Sequence, residues 1–346
     1  MNNEDIRVGF IGAGANTTLQ HLPKLQAING VKAVSVANRS RKSGQKIADE
    51  WNLETVYDSW EDLVLAKDTN AICIGTWPYM HKTLVLAALE NNKHVLCEAR
   101  MAMNSVEARE MLTASRQKPK LVTQIVPGPL SLRVENTIKN LIADNYLGEI
   151  LSVELSLGGD FIDRQSLLHW RENKDLSGNN MMQLGIWYEE IMRYVGPAKN
   201  VKAITRTHVK SRKDDSGSTR FITVPDYVQV LSEIESGPVM HIRIGKTLGH
   251  SGADYLTMFG TEATIRLDTQ TTRLYSAKKG EENMAEISIS SEQEGYWRVE
   301  EEFVNSIRGQ ETVTHTSFED GVKYMEFTDA VHISSRTGET VQLPLV

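Results

Sequence analysis

Residues 6–17 read IRVGFIGAGANT and place a glycine-rich turn directly after a short apolar run. The run has the length of a buried strand, and the residues after the turn repeat leucine at helical spacing. Gly12 suits a tight turn, and Gly14 lets the backbone approach a pyrophosphate at the N-terminus of the helix. Thr17 replaces the third glycine of the motif G-x-G-x-x-G, so we expect strand and helix to lie slightly farther apart there. The segment predicts dinucleotide binding rather than a tight turn without a ligand.

Strand-like and helix-like segments alternate through the first third of the chain. The strand candidates are residues 6–11, 31–37, 71–74, 94–97 and 120–126, and the helix candidates are residues 16–28, 40–51, 81–91 and 105–116. Strict alternation of this kind predicts an α/β domain with a doubly wound parallel sheet and right-handed crossovers.

The pattern changes after the Pro-Gly-Pro segment at residues 127–129. Residues 151–157 alternate apolar and polar side chains with the period of a half-buried strand, and many more strands follow. The later candidates are strands at residues 201–209, 227–234, 239–244, 255–259, 263–267 and 273–275 and helices at residues 133–145, 297–307 and 318–334. Many successive strands predict a mostly antiparallel sheet. We therefore expect domains at residues 1–125 and 126–346, with a hairpin loop in the polar segment 210–220.

Composition excludes several classes of protein. A length of 346 residues suggests about two domains, and 38 basic against 45 acidic residues disfavour a general nucleic-acid binder. Two cysteines exclude a disulfide scaffold, and no Cys/His cluster has metal-ligand spacing. The polar start of the chain has no signal-peptide pattern, and the longest apolar run is too short to span a bilayer. We expect a cytoplasmic protein with reduced cysteines.

The end of the second strand candidate bears on the choice of cofactor. An acidic residue is expected there when the ribose hydroxyls of NAD are bound, but the chain has Asn38, followed by Arg39, Ser40 and Arg41. Loss of the acid removes repulsion against a 2′-phosphate, and arginines bind phosphate well. The pattern favours NADP, with NAD still possible. The alternative is that Ser40 caps the next helix and the arginines are solvated.

Six dispersed segments together resemble the glucose–fructose oxidoreductase / inositol dehydrogenase / MocA (Gfo/Idh/MocA) family. They are the glycine turn, GTWPYMH at 75–81, HVLCE at 94–98, LGE at 147–149, GTEAT at 260–264 and SRTGETV at 335–341. The resemblance covers nearly the whole chain. It implies an N-terminal Rossmann domain, a C-terminal α/β domain with an open, mostly antiparallel sheet, and a nicotinamide cofactor in the cleft between them. It also implies a carbohydrate-like substrate and a homodimer or homotetramer built through the C-terminal sheet.

The glycine motif and the resemblance together assign the cofactor residues. These are Gly12, Gly14, Ala15, Asn16, Asn38, Arg39, Ser40, Thr76, Trp77, Pro78, His81 and Glu98. The resemblance places Thr76, Trp77, Pro78 and His81 on the nicotinamide side and matches Glu98 to the Glu of the family's E-K-P motif.

The chain departs from the family at three proton-handling positions. The lysine of E-K-P is Ala99, and the proline, which is often in cis, is Arg100. In the second signature, the catalytic Asp becomes Gln183 and the His becomes Trp187. None of these replacements titrates in the physiological range.

Other residues near these positions are therefore the candidates for catalysis and substrate binding. As catalytic groups we expect His169, Tyr188 and Arg100, and as substrate-binding residues Trp170, Arg171, Gln183 and Trp187. Structural alternatives stay open for three of these sites: a packed ring for Tyr188, a surface or interdomain salt bridge for Arg100, and a loop anchored by a buried tryptophan for the His169 segment.

These observations predict an NAD(P)-dependent oxidoreductase that transfers hydride to or from a carbohydrate, polyol or related hydroxylated small molecule. Two alternatives stay open. One is a glycoside-cleaving enzyme or lyase that uses a tightly held cofactor transiently. The other is a sugar or dinucleotide sensor without catalysis, which the three lost proton-handling groups favour. No nucleic-acid or membrane partner is expected.

Overall fold

The computed structural model describes residues 5–345, which form two compact units. The first unit contains residues 5–127 together with Arg298–Val322, and the second contains Gly128–Trp297 together with residues 323–345. The sequence predicted a division at residues 125 and 126 and placed everything after it in the second domain. The structure instead returns Arg298–Val322 to the first unit.

The first unit is built on a six-stranded sheet whose strand pairs are all parallel. Its strands are β1 (Ile6–Ile11), β2 (Val31–Ala37), β3 (Thr55–Val56), β4 (Ala71–Ile74), β5 (His94–Cys97) and β6 (Thr123–Ile125), in the order β3-β2-β1-β4-β5-β6. The predicted doubly wound sheet is thus confirmed. The strand order reverses between β1 and β4, and the carboxyl ends of strands at such a point form the usual ligand crevice of this fold.

Helices flank this sheet and connect its strands. They are α1 (Leu22–Ala27), α2 (Arg41–Trp51), α3 (Trp60–Leu65), α4 (Pro78–Glu90), α5 (Ser105–Gln117) and, from the returning segment, α9 (Val299–Ile307). A π-helical turn, Thr17–His21, precedes α1. α9 packs on α1, and Glu302 of α9 accepts a 2.8 Å hydrogen bond from the Gln124 side chain. Periodicity alone predicts such a helix but not the domain on which it docks.

The second unit is built on a nine-stranded, mostly antiparallel sheet, as the sequence predicted. Its strands are β7 (Ile150–Leu157), β8 (Asn200–Arg206), β11 (Tyr227–Glu233), β12 (Val239–Gly245), β13 (Tyr255–Gly260), β14 (Ala263–Asp268), β15 (Arg273–Lys278), β16 (Ala285–Glu286) and β17 (Val341–Gln342). Their order is β16-β15-β14-β13-β7-β12-β11-β8-β17, and β7 and β12 form a parallel pair within it. The predicted hairpin is present as β9 (Ser211–Lys213) and β10 (Thr219–Phe221).

The helices of the second unit include those that carry the predicted substrate residues. They are α6 (Leu132–Ala143), α7 (Lys174–Ser177), α8 (Leu184–Val195) and most of α10 (Phe318–Thr337), whose first residues belong to the first unit. A 3₁₀ turn, Trp170–Glu172, lies in the long connection between β7 and α8. Within residues 5–345, no helix combines the length and apolar character needed to cross a membrane.

Candidate functional site

A pocket of about 330 Å³ opens at the carboxyl ends of three strands of the first unit. Seven predicted cofactor residues line it: Gly12 and Gly14 after β1, Asn38, Arg39 and Ser40 after β2, and Thr76 and Trp77 after β4. Because parallel strands end at the same edge of a sheet, three separate segments of the sequence meet here.

The two motif glycines have different reasons to lack a side chain. Gly12 adopts a positive φ of 78°, and a Cβ there would lie 2.9 Å from the backbone nitrogen of Thr76. At Gly14, the nearest atom to such a Cβ is 3.9 Å away, so the backbone is open to the pocket. This cradle fits a pyrophosphate: Gly12 makes the turn, and Gly14 permits close approach.

Thr17 occupies the place of the third motif glycine and is fully buried. A side chain at Gly75, in the facing loop after β4, would overlap the Thr17 hydroxyl. The absence of a side chain at Gly75 therefore leaves room for the Thr17 side chain. The backbone nevertheless departs from a regular α-helix here, since Thr17–His21 forms the π-helical turn.

Asn38 supports the glycine turn through its side chain. Its Oδ1 accepts a 2.7 Å hydrogen bond from the backbone N–H of Ala13, which leaves the Nδ2–H groups to face other partners. Ser40 caps α2 by accepting a hydrogen bond from the N–H of Ser43, as the sequence alternative suggested. Arg41 pairs with Asp58 at 2.7 Å on the surface. Exposed Arg39 makes no ion pair with any residue in the described range 5–345.

The predicted cofactor residues in and after the loop that follows β4 lie in two places, the pocket and the core. Thr76 and Trp77 line the pocket, and Pro78 begins α4. His81 is fully buried: its Nε2 lies 3.0 Å from the carbonyl oxygen of Thr76, and its Nδ1 lies 3.0 Å from that of Arg100. Burial lowers the pKa of His81, although hydrogen bonds to these carbonyls oppose that effect. The buried His81 ring therefore connects the loop after β4 to the loop after β5.

Glu98 lies at the end of β5 in a cluster that the sequence did not predict. Its Oε1 accepts hydrogen bonds from Asn16 Nδ2 and, at 3.0 Å, from His21 Nε2. The other His21 nitrogen, Nδ1, lies 2.6 Å from Glu300 Oε1. The only sequence signal for His21 was a histidine on the apolar face of the first helix, and nothing local indicated Glu300, 279 residues away.

Arg100 is almost entirely buried within the first unit, and the peptide bond between Ala99 and Arg100 is cis. This burial does not match a surface salt bridge, which is one of the two structural alternatives that the sequence offered for Arg100.

Two adjacent candidates on α8 face the core of the second unit. Trp187 and Tyr188 are each 1% exposed. The Tyr188 ring stacks on Phe327 with 3.7 Å between ring centroids, and its hydroxyl oxygen accepts a 2.8 Å hydrogen bond from the N–H of Ala198. Burial raises the pKa of Tyr188 far above its usual value. This environment matches the packing alternative for Tyr188, because a proton-exchanging group must reach substrate or water.

Gln183 and the His169 segment are placed differently. Gln183 is exposed immediately before α8. His169 is exposed and caps the 3₁₀ turn: its Nδ1 accepts a hydrogen bond from the N–H of Arg171, and its own N–H donates to Glu172 Oε2. The Arg171 guanidinium lies 4.3 Å from the centre of the Trp170 ring and covers one face of it.

The capping bond determines the tautomer of His169. An Nδ1 that accepts a hydrogen bond carries no proton, so the neutral ring carries its proton on Nε2. Burial lowers the pKa of His169, and the nearby charges of Arg171 and Lys246 lower it further. His169 thus presents a hydrogen-bond donor to its surroundings.

Within the described range, no three His, Cys, Asp or Glu side chains are grouped so that they could hold a metal ion.

Comparisons with known proteins agree with this geometry. Residues 6–125 match the model of the Gfo/Idh/MocA oxidoreductase family with an NAD-binding Rossmann fold, and residues 136–266 match the model of the Gfo/Idh/MocA C-terminal domain. Trans-1,2-dihydrobenzene-1,2-diol dehydrogenase of Macaca fuscata fuscata is 23% identical over 219 residues, which are 63% of this chain and 62% of that protein. Glucose-6-phosphate 3-dehydrogenase of Bacillus subtilis is 24% identical over 69% of this chain and 67% of its own length.

Solved structures share the whole fold. Levoglucosan dehydrogenase in complex with NADH and L-sorbose superimposes with a TM-score of 0.84 at 20% identity, covering 98% of this chain and 99% of that one. An oxidoreductase domain protein from Kribbella flavida gives a TM-score of 0.85 at 19% identity, covering 99% and 100% of the two chains.

Proposed function

Because the chain belongs to the Gfo/Idh/MocA oxidoreductase family, we propose that it transfers hydride between a nicotinamide dinucleotide and a carbohydrate, polyol or related hydroxylated small molecule. The observation that carries this proposal is the pocket at the ends of β1, β2 and β4, whose glycine cradle fits a pyrophosphate. The names of the relatives, which include dehydrogenases of a sugar phosphate, of levoglucosan and of a dihydrodiol, support a hydroxylated substrate.

When bound, the cofactor supplies the hydride donor or acceptor, and the protein binds, orients and manages protons. In this proposal the glycine turn with Ala15 and Asn16 holds the pyrophosphate. Asn38, Arg39 and Ser40 hold the adenosine ribose, and the loop after β4 holds the nicotinamide half.

We further propose a preference for NADP over NAD. Because Asn38 Oδ1 is engaged by Ala13, the amide offers donors rather than acceptors toward a ribose. Donors suit phosphate oxygens, whereas the 2′-hydroxyl of NAD is usually bound by a carboxylate. The nearby Arg39 guanidinium adds a cation suited to phosphate.

Fluorescence titration with NADPH and NADH tests this preference. We expect Arg39→Ala to weaken NADPH binding at least about tenfold and to leave NADH binding unchanged. Arg41→Ala is the matched control, because Arg41 already pairs with Asp58. Equal or tighter binding of NADH by the unaltered protein would contradict the NADP preference and leave the reaction class intact.

At the reacting oxygen we propose His169 as a hydrogen-bond donor and Arg100 as a cation that orients a hydroxyl or carboxylate of the substrate, with Trp170, Arg171 and Gln183 as substrate contacts. The exposed Nε2–H of the neutral His169 ring suits donation of a hydrogen bond to the oxygen of a carbonyl that is being reduced, where negative charge develops. The burial of Trp187 and Tyr188 supports packing roles for both instead.

The function as a whole is tested by measuring reduction of NADP⁺ and NAD⁺, and oxidation of their reduced forms, with a panel of sugars, polyols and ketoses. Gly12→Ala should abolish cofactor binding, because it combines a positive φ with a clash against Thr76. Gly217→Ala has the same backbone strain with no neighbour within 4 Å, and it should retain cofactor binding.

A sensor without catalysis is the second candidate. Ala99 and Gln183 stand where the family has titratable groups, and the burial of Tyr188 argues against a further proton-transfer candidate. Tight binding of cofactor and sugar, with no turnover in either direction across the panel, would favour this candidate.

We also propose that the second unit forms a homodimer or homotetramer through the open face of its sheet. Ile204, Leu231 and Val239 are each about half exposed, and the strand register places them on one face. Leu231→Lys should lower the molar mass measured by light scattering, whereas Leu65→Lys, at an exposed apolar position of the first unit, should not. An unchanged molar mass for both variants would contradict an interface on this face of the sheet.

A further inference from the structure

A buried histidine connects the glycine turn of the first unit to β5 and α9. His21 ends the π-helical turn and is completely inaccessible to solvent. Its Nε2 lies 3.0 Å from Glu98 Oε1, and its Nδ1 lies 2.6 Å from Glu300 Oε1. An ionised carboxylate only accepts hydrogen bonds, so the ring satisfies both partners only when both nitrogens carry a proton. The geometry therefore calls for an imidazolium.

The electrostatics of the cluster favour the same charge state. Burial alone would lower the pKa of His21, but the hydrogen bonds and charges of Glu300 and Glu98 raise it to about 9. Burial alone would raise the pKa of Glu98, but His21 and Asn16 hold it below its usual value. The cluster thus contains one buried cation between two carboxylates at neutral pH.

Other titratable groups face the cluster from neighbouring elements. Lys24 of α1 lies one turn beyond His21, and burial lowers its pKa while Glu300 opposes that effect. The Cys73 thiol of β4 has a pKa raised by burial and by both carboxylates, so it stays uncharged. Burial lowers the pKa of His81 in α4. Of these groups, only His21 bridges the two carboxylates with direct hydrogen bonds.

His21 also determines which oxygen of Glu98 is available to a ligand. Oε1 is taken by His21 and by Asn16, the residue that follows the glycine turn. Oε2 makes no hydrogen bond with any residue between 5 and 345, and the Glu98 side chain remains 14% exposed. One oxygen is thus fixed inside the protein, while the other stays available as an acceptor.

We propose that His21 is a positioning residue for the cofactor: as an imidazolium held by Glu300, it fixes Glu98 against the glycine turn and leaves Glu98 Oε2 to accept a hydrogen bond from a hydroxyl or amide group of the nicotinamide half. This inference rests on the proposed function. It implies that the returning segment, through Glu300, is part of the cofactor site. It also implies that cofactor affinity falls when His21 loses its proton.

The test is a fluorescence titration of the full chain with NADPH between pH 7.5 and 10. We expect the affinity of the unaltered protein to fall as the pH rises through about 9. His21→Gln should bind NADPH at least about tenfold more weakly at pH 7.5 and should show no further fall through pH 9. Glu300→Gln should move the midpoint to lower pH, because it removes one of the two charges that hold the proton on His21.

His94→Gln is the matched control. His94 belongs to the same unit, accepts a hydrogen bond from the N–H of Val122 and has a pKa lowered to about 4 by burial. It should keep both the affinity and the pH profile of the unaltered protein. The midpoint shift in Glu300→Gln separates positioning from mere support of the fold, because a loss of stability alone does not move a midpoint of binding.

The possible results differ in what they overturn. If the unaltered protein binds NADPH with an affinity that is constant from pH 7.5 to 10, the role of His21 is overturned and the proposed function stands. The same holds if His21→Gln and Glu300→Gln both bind like the unaltered protein. If the unaltered protein binds neither NADPH nor NADH, the proposed function fails and this inference fails with it. The measurement on the unaltered protein decides the question even if His21→Gln does not fold.

Discussion

Seven cofactor candidates of the first unit converge on one pocket, whereas the candidates of the second unit separate into buried and exposed groups. In the first unit, the turns after β1, β2 and β4 meet because parallel strands bring their carboxyl ends to one edge. In the second unit, Trp187 and Tyr188 turn into the core, while Gln183 and His169 remain exposed.

This difference shows what a local motif can specify. In a parallel sheet, position along the sequence translates directly into position at the sheet edge, so a motif at a strand end predicts a site. In the second unit, the candidates lie on a long connection and a helix, and the direction of each side chain depends on tertiary packing. Substitutions in the pocket of the first unit should therefore have larger effects than substitutions at the buried candidates of the second unit.

The contact between Thr17 and Gly75 should be the least tolerant point of the cofactor pocket. A Cβ at Gly75 would overlap the Thr17 hydroxyl and lie 2.6 Å from the carbonyl oxygen of Gly12. We expect Gly75→Ala to lower the free energy of unfolding by about 3 kcal/mol and to abolish NADPH binding. Thr17→Gly in the same chain should recover part of the stability, because only the contact with Gly12 then remains.

Chemical denaturation measures this effect, with Gly309→Ala as the control. Gly309 lies in the first unit at a φ of 69° with no neighbour within 4 Å, so its substitution should cost only about 1 kcal/mol. Equal losses for the two variants would mean that the contact with Thr17 is not tight.

The His21 cluster predicts how the stability of the first unit depends on pH. The pKa of His21 is raised from 6.5 to about 9 on folding, so its stabilisation is complete below pH 6.5 and is lost as the pH rises through about 9. The full difference corresponds to about 3 kcal/mol. Denaturation at pH 7 and pH 9.5 should show most of this loss in the unaltered protein and in His94→Gln. This loss of stability should be largely absent in His21→Gln. A loss of the same size in that variant would mean that other groups cause the pH dependence.

Sequence patterns predicted the elements of the first unit well because buried parallel strands and capped helices leave local signatures. The strand 71–74 and the cap at Ser40 are examples. The return of Arg298–Val322 to the first unit was not predictable, because α9 has the same amphipathic pattern on whichever domain it docks. Glu300 was missed for the same reason, since its partner His21 lies 279 residues away. Thr17 was visible in the sequence as a departure from the glycine motif, but its close contact with Gly75 needed coordinates.

Exposed and buried candidates of the second unit should differ in their effect on turnover. His169→Ala removes the exposed Nε2–H donor and should lower turnover by about 100-fold or more, with little change in cofactor affinity. Arg212→Ala, which removes the 3.1 Å ion pair to Glu172 behind the 3₁₀ turn, serves as a control for loss of local order. If both variants lowered turnover equally, His169 would act only by shaping the loop.

Tyr188→Phe should have the smallest effect and tests the other half of the comparison. The substitution keeps the ring stacked on Phe327 and leaves only the buried N–H of Ala198 without its acceptor. We expect the free energy of unfolding to fall by about 1 kcal/mol and turnover to stay within about twofold of the unaltered protein. The same sugar panel and denaturation series provide both measurements. A loss of turnover by orders of magnitude without a loss of stability would return Tyr188 to the catalytic residues, because a hydroxyl that only supports packing affects the reaction through the fold alone.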